Sequence, residues 1–175
     1  MTINIVASGQ SAQYWDGKGT SIGCNDCFKW GHHPTYLLLL DSPMKFRERL
    51  EVIKNTLPQR VFTNNTKTWG EYFPEVDKIN TEVFRNKLKG KVHHSQTSPF
   101  PAITMAYNWG AKDIVLWGVD FMDHHLISPG KSTFISEMQN YKSLFEVLNN
   151  QGVRVWLGSK GSYFDKQLPV WSSAQ

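Results

Sequence analysis

The sequence predicts an α/β fold, with one domain over residues 1–175 built on a doubly wound, mostly parallel sheet. Three observations predict it. Short apolar, β-branched runs alternate with stretches of helical periodicity along the chain, the pattern of right-handed βαβ units. Two of the runs, Ile3–Ala7 and Asp113–Trp117, pass directly into small polar turns, Ser8-Gly9-Gln10-Ser11 and Gly118-Val119-Asp120. A third, Thr35–Leu40, is almost wholly apolar, as suits a parallel strand covered on both faces.

The elements follow in order. Residues 3–7 read as a buried strand, and Ser11–Trp15 opens a short helix. Thr20–Cys24 is a second short strand ending at Asn25-Asp26. After the apolar strand 35–40 and Asp41, Ser42 as N-cap and Pro43 at the first helical position start a helix. Its apolar positions Phe46, Leu50, Ile53 and Leu57 recur at helical spacing. Arg60–Phe62 is a strand. Residues 64–95 form an irregular insertion: polar, with Trp69, Tyr72 and Phe73, a short helix over Asn80–Leu88 and a short strand over Lys91–His94. Ser98-Pro99 repeats the cap-then-proline signal for a helix to Asn108, which Gly110 stops. After the strand 113–117, residues 121–134 are a loop. Ile135–Asn150 is a helix with Met138, Tyr141, Leu144, Phe145 and Leu148 on one face, and Gly152 ends it. Val153–Leu157 is the last strand, running into the turn Gly158–Ser162. The tail after Phe164 is polar and reads as loosely held.

Bulk composition narrows the function classes. Hydrophobic residues make up 40% and charged residues 19%, which marks a globular chain. The net charge of +4 favours an anionic partner. Its Lys and Arg residues are dispersed without a basic stripe, which ranks a DNA- or RNA-binding role low. No stretch approaches the ~20 apolar residues of a membrane span, and no basic-then-apolar leader is present. Two cysteines cannot make a disulfide framework. The expectation is a cytoplasmic protein without a membrane partner. The seven Trp residues read mainly as core packing.

Chemistry concentrates at strand ends. In an open parallel sheet the carboxyl ends of all strands lie on one rim, where ligands bind. The turn Ser8–Ser11 offers backbone N–H groups to an anion at a helix N-terminus. It has neither the three spaced glycines of a dinucleotide fingerprint nor a Walker lysine, so a tight strand–helix connection competes with that reading. Asn25, Asp41, Ser98, Asp120 and Ser162 stand at other strand ends and together suit a ribose and phosphates. Asp41 and Asp120 suit sugar hydroxyls or a divalent metal, with helix capping as the competing role. Histidines come in three doublets, His32-His33, His93-His94 and His124-His125. The last follows Asp120 within a loop and is the first choice of general base. Lys131, after Pro129-Gly130, and Lys160, beside Gly161, are placed to meet phosphate or to sit in solvated turns. Cys24-Asn25-Asp26-Cys27 could be a redox pair or, with His32 or His33, a zinc site. Ordinary buried cysteines explain a lone pair better.

Several of these pieces occur in an order that resembles a known group: Ile5–Ser11, Ile22–Asn25, Leu40–Pro43, Thr97-Ser98 before a small-residue helix, Gly110–Phe121, and Val153–Trp156 with Gly158–Ser162. The chain resembles the bacterial CMP-sialic-acid-dependent sialyltransferases and a wider family that includes archaeal 6-hydroxymethyl-dihydropterin pyrophosphokinase. The resemblance implies a Rossmann-like nucleotide-binding fold. Within the turn Ser8-Gly9-Gln10-Ser11, Gly9 and Ser11 would face phosphate. Asn25 and Ser98, with Thr97 beside it, would hold the nucleotide, and the loop after Gly118 and Asp120 would approach the donor phosphate. The sialyltransferases use a histidine base and phosphate-binding tyrosines, without a metal. This chain departs from them at Met122, where a tyrosine is expected, and in a much shorter segment between Phe121 and the last helix. His124 or His125 would therefore replace the family's histidine by proximity.

The functional expectation is a nucleotide-binding transferase, a glycosyltransferase that uses a nucleotide-sugar donor. One alternative is diphosphate transfer from ATP, which calls for Mg2+ on Asp41 or Asp120. Another is a non-catalytic module that sequesters a nucleotide. The glycosyl-transfer reading needs no cofactor. The acceptor and the oligomeric state stay open, a homo-oligomer included.

Overall fold

The computed structural model describes residues 1–123 and 127–172. In chain order the strands are β1 (Thr2–Val6), β2 (Ser21–Cys24), β3 (Tyr36–Leu38), β4 (Arg60–Thr63), β5 (Val76–Lys78), β6 (Thr81–Val83), β7 (Val92–His94), β8 (Asp113–Trp117) and β9 (Arg154–Leu157). The α-helices are α1 (Leu50–Lys54), α2 (Thr66–Trp69), α3 (Pro99–Asn108) and α4 (Phe134–Asn150).

Seven strands form one sheet in the order β5-β4-β3-β2-β1-β8-β9, and every pairing is parallel. The predicted doubly wound α/β sheet is therefore present. Ile5 on β1 is registered against Ile22 of β2 on one side and Leu116 of β8 on the other. The chain winds outward from β1 through β2–β5, then returns to build β8 and β9 on its other flank. Strand order reverses beside β1, and such a reversal opens a crevice at the carboxyl ends.

Both faces of the sheet are covered. One core gathers Ile3, Ile5, Ile22, Leu38, Phe100, Ile103, Tyr141, Leu144 and Phe164 beneath α3 and α4. The other gathers Val6, Leu37, Leu39, Phe46, Ile53 and Trp69. α3 is buried from Pro99 through Ala106, and its small residues Ala102 and Ala106 allow close approach to the sheet. α4 is amphipathic as predicted, with Tyr141, Leu144 and Leu148 inaccessible to solvent.

Four expectations are corrected. The helix predicted from Pro43 to Leu57 is broken into 3-10 turns at Pro43–Lys45 and Arg47–Arg49 followed by the short α1. Arg47 (φ 47°) and Leu57 (φ 46°) adopt left-handed backbone, which a continuous helix does not accommodate. Phe46 and Ile53 still reach the core, but Leu57 is 85% exposed and leaves the apolar stripe. The helix predicted over Asn80–Leu88 is instead β6, paired in parallel with β7, followed by a loop with left-handed Asn86. Its β-branched Thr81 and Val83 favour a strand. β5 and α2 were not predicted. β5 is held at the sheet edge by Arg60, whose guanidinium meets both oxygens of Asp77 at 2.8 Å, and Asn65 caps α2 through the Thr68 N–H at 3.3 Å. Finally, the described residues after Phe164, 165–172, are not loose. Val170 bridges to Leu157, Trp171 N donates to the Leu157 carbonyl at 2.7 Å, and the Trp171 ring packs edge-on against Trp156.

Among the described residues, no helix is long and apolar enough to cross a membrane.

Candidate functional site

At the strand-order reversal, the turns after β1 and β8 are bonded to each other. Ala7 N donates to the Trp117 carbonyl at 2.8 Å, and Gly9 N donates to the Gly118 carbonyl at 2.9 Å. Ser11 N donates to Asp120 Oδ2 at 2.7 Å, and the Ser11 hydroxyl donates to Asp120 Oδ1. The same hydroxyl accepts from Gly118 N at 2.7 Å. Ser11 and Asp120 are both buried. Burial pushes the Asp120 carboxyl above its ordinary value, against the lowering effect of the Ser11 bonds. A Cβ at Gly9 would lie 2.5 Å from the Gly118 oxygen and 2.6 Å from Asp120 Oδ2, so only glycine permits this approach.

The turn therefore divides. Ser11 is internal and its polar groups serve the seam with Asp120. Ser8 and Gly9 are half-buried and Gln10 is exposed, which leaves these three at the surface of the rim. Trp30 steadies them by donating its indole N–H to the carbonyls of Ser8 (3.2 Å) and Gly9 (3.0 Å).

Beside the seam, Asn25, Asp41 and Ser98 meet. Asn25 follows β2 in the left-handed region (φ 44°), which asparagine tolerates better than most residues. Its amide donates to Asp41 Oδ2 at 2.9 Å and to the Ser98 hydroxyl at 2.8 Å. Lys45 Nζ lies 2.7 Å from Asp41 Oδ1, and Trp69 Nε1 donates to the Asp41 carbonyl at 2.9 Å. Asn25, Asp41 and Ser98 are all half-buried, accessible but oriented.

Thr97 is held from beneath by α4. Its hydroxyl donates to Glu137 Oε1 at 2.8 Å and lies 2.8 Å from the Tyr141 hydroxyl. Glu137, inaccessible to solvent, also accepts from the Ser95 hydroxyl and from Gln96 N at 3.2 Å. One buried carboxylate thus orders the segment that leads into Ser98. Burial, reinforced by Glu137, pushes the Tyr141 phenol well above its ordinary value. Neither Glu137 nor Tyr141 was singled out as a polar group from the sequence. The available signal was an acid four residues before a tyrosine on the apolar side of α4.

The remaining candidates are scattered. Ser162 is buried, donates to the Val119 carbonyl at 3.0 Å and accepts from Phe164 N at 3.2 Å, which ties the last turn to the loop after β8. Lys131 and Lys160 are exposed. His124 and His125 lie outside the described residues. His32 and His33 bond to the carbonyls of Ala12 (2.7 Å) and Thr56 (3.3 Å), and His93 is buried in β7. Cys24 and Cys27 are free and buried. Burial pushes both thiols up, with Asp26 adding to it at Cys27, which rises to about 12. Such cysteines stay protonated and are poor nucleophiles or metal ligands.

No family model matches the chain, and no curated protein matches it. Solved structures do. The sialyltransferase CstII from Campylobacter jejuni, in complex with the substrate analogue CMP-3FNeuAc, superposes with a TM-score of 0.61 at 13% identity, over 97% of this chain and 84% of that one. CstII in complex with a trisaccharide acceptor and CMP gives a TM-score of 0.62 at 13% identity, over 97% and 86%. The monofunctional α-2,3-sialyltransferase Cst-I from Campylobacter jejuni gives 0.60 at 16% identity, over 97% and 79%. The shared property is the fold.

Proposed function

We propose that the protein is a glycosyltransferase that takes its sugar from a nucleotide-sugar at the rim formed by Ser8–Gln10, Asn25, Asp41, Thr97-Ser98 and Gly118. The observation that carries this reading is the Asn25 amide, held between Asp41 and Ser98 next to the seam of β1 and β8. Three elements distant in sequence place half-buried hydroxyl, amide and carboxylate groups where such a sheet receives its ligand. The fold supports the same reading, because solved proteins that share it bind CMP and a CMP-linked analogue.

In this reading, the backbone of Ser8–Gln10 and Gly118 meets the donor phosphate, and Lys131 offsets its charge as it departs. Asn25, Asp41, Thr97 and Ser98 orient nucleoside and sugar hydroxyls. His124 or His125 removes the proton from the acceptor hydroxyl. The acceptor oxygen then bonds to the anomeric carbon while the bond from that carbon to the phosphate oxygen breaks. Diphosphate transfer would need Asp41 or Asp120 free for magnesium. Asp41 is instead engaged by Asn25 and Lys45, and Asp120 by Ser11, so these residues fit that ion poorly.

A thermal-shift screen of nucleotides and nucleotide-sugars, with and without magnesium, tests the reading. A ligand at a hundred times its Kd adds about 2.7 kcal/mol, a rise of roughly 5–10 °C for a chain of this size. The stabilising nucleotide-sugar is then offered with sugar acceptors. Release of free nucleotide supports transfer, and the H124A/H125A variant should lose turnover while binding the donor as before. Prolonged incubation that returns the donor intact would replace transfer with sequestration.

A further inference from the structure

Helix α4 packs on β9 from one face of the sheet, where Val155 and Leu157 join the first core. On the opposite face the cover stops short. The second core reaches Val6 of β1 and the partly buried Trp117 of β8, and no residue of β9 belongs to it. Parallel sheets ordinarily have both faces covered. This flank instead carries three half-buried tryptophans from three neighbouring segments: Trp117 at the end of β8, Trp156 on β9, and Trp171 on the stretch that folds back along β9.

Trp117 is laid flat. The position that a Cβ of Gly158 would take lies 2.2 Å from the Cδ2 and Cε3 atoms of Trp117 and 2.4 Å from its Cε2, so one face of the indole rests on the Gly158 backbone. Its N–H donates to Asn4 Oδ1 at 2.9 Å, which fixes the ring within its own plane. Val115 is registered against Trp156, so the alternation of side chains puts Trp156 on the same face as Trp117. The Trp156 N–H donates to Asp113 Oδ1 at 2.9 Å, and its ring stands edge-on to Trp171, with centroids 5.5 Å apart at 76°. Both of these indole N–H groups are spent on protein acceptors, and what remains at the surface is ring. The Arg154 guanidinium lies 5.5 Å over the Trp156 ring and is neutralised by Asp113 at 2.8 Å.

We propose that this face is a carbohydrate-binding surface, separate from the rim, for the pyranose rings of an uncharged oligosaccharide. The C–H groups on a pyranose face are slightly positive and stack on the negative face of an indole, while the hydroxyls around the sugar ring stay in water. The cation beside the rings is already paired with Asp113, which suits a partner without charge. The area also selects a small partner. Three half-buried rings expose the area of a few sugar rings, far below the roughly 800 Å² that each side of a stable protein interface covers.

Titration of the full chain with maltohexaose and with cellohexaose, followed through the indole N–H resonances in the nuclear magnetic resonance spectrum, tests the proposal. Cytidine serves as a flat ring that is not a sugar. The expected result is a saturable shift of the Trp117 and Trp171 signals with at least one hexasaccharide, and none with cytidine. Trp171→Ala should weaken binding about tenfold, and Trp171→Phe, which keeps a smaller ring, should weaken it less. Trp117→Phe should weaken it severalfold. Trp109→Ala, which removes an exposed ring elsewhere, and Asn25→Ala, which alters the rim, should each change it less than twofold. Absence of a saturable shift with both hexasaccharides, tighter binding of cytidine, or binding unaffected by Trp171→Ala would overturn it. So would self-association of the native chain that Trp171→Ala abolishes, since the face would then belong to a second copy.

Discussion

Position 9 has no space for a side chain. A methyl group there meets the Gly118 carbonyl and the Asp120 carboxylate, and the first of these is backbone that cannot turn aside. Gly9→Ala is expected to destabilise the fold by about 2–3 kcal/mol, read as a fall in the midpoint of urea unfolding. His93 yields a prediction of pH dependence. Burial holds its imidazole below the ordinary value of 6.5, opposed by Glu82 and reinforced by Lys91 and His94. The unfolded chain therefore binds a proton more readily than the folded one. Stability should be lost as pH falls below 6.5 towards the lowered value and be regained as pH rises. Melting temperatures at pH 7.5 and 5.0 check this: the fall should be smaller in His93→Gln than in the native chain. At this scale the sequence was partly legible. Gly9, Asn25, Asp41 and Ser98 announced themselves as polar or small residues at strand ends. The internal roles of Ser11 and Asp120 did not, because a side chain that receives a ligand and one that receives a neighbouring turn share the same chemistry.

Helix α4 does two jobs, since the helix that seals one face of the sheet also positions Thr97. Glu137→Ala would leave Ser95, Gln96 N–H and Thr97 without their common acceptor. The expected loss is about 3 kcal/mol of stability, measured by denaturant unfolding. Glu137→Gln, which retains one acceptor oxygen, should lose less and should weaken ligand binding at the rim by shifting Ser98. Elements with strong periodicity, α3, α4 and the core strands, were legible from the sequence. The break after Phe46 was not, because Phe46, Leu50, Ile53 and Leu57 keep helical spacing, and that spacing carries no sign of the left-handed backbone at Arg47 and Leu57. β5 and β6, at three residues each, are too short for any period to show.

The whole molecule is organised around β1. It is the first strand of the chain yet lies inside the sheet, with β2 and β8 on its flanks and a core on each face. Amide hydrogen exchange should follow this arrangement: β1 and β8 slowest, the edge strand β5 and the β6–β7 pair markedly faster. Alternation of apolar runs and helical stretches made the doubly wound sheet legible, because parallel strands buried on both faces leave a continuous apolar signature. The fold-back of residues 169–171 onto β9 was hidden, since it rests on backbone bonds and one pair of tryptophan rings. The bonds of Gly9 to Gly118 and of Ser11 to Asp120 carry one more consequence. They rivet together the two wings of the sheet at the spot where a hinge would have to bend. If the rim binds a ligand as proposed, its rates of entry and escape should be insensitive to substitutions that merely loosen the outer strands.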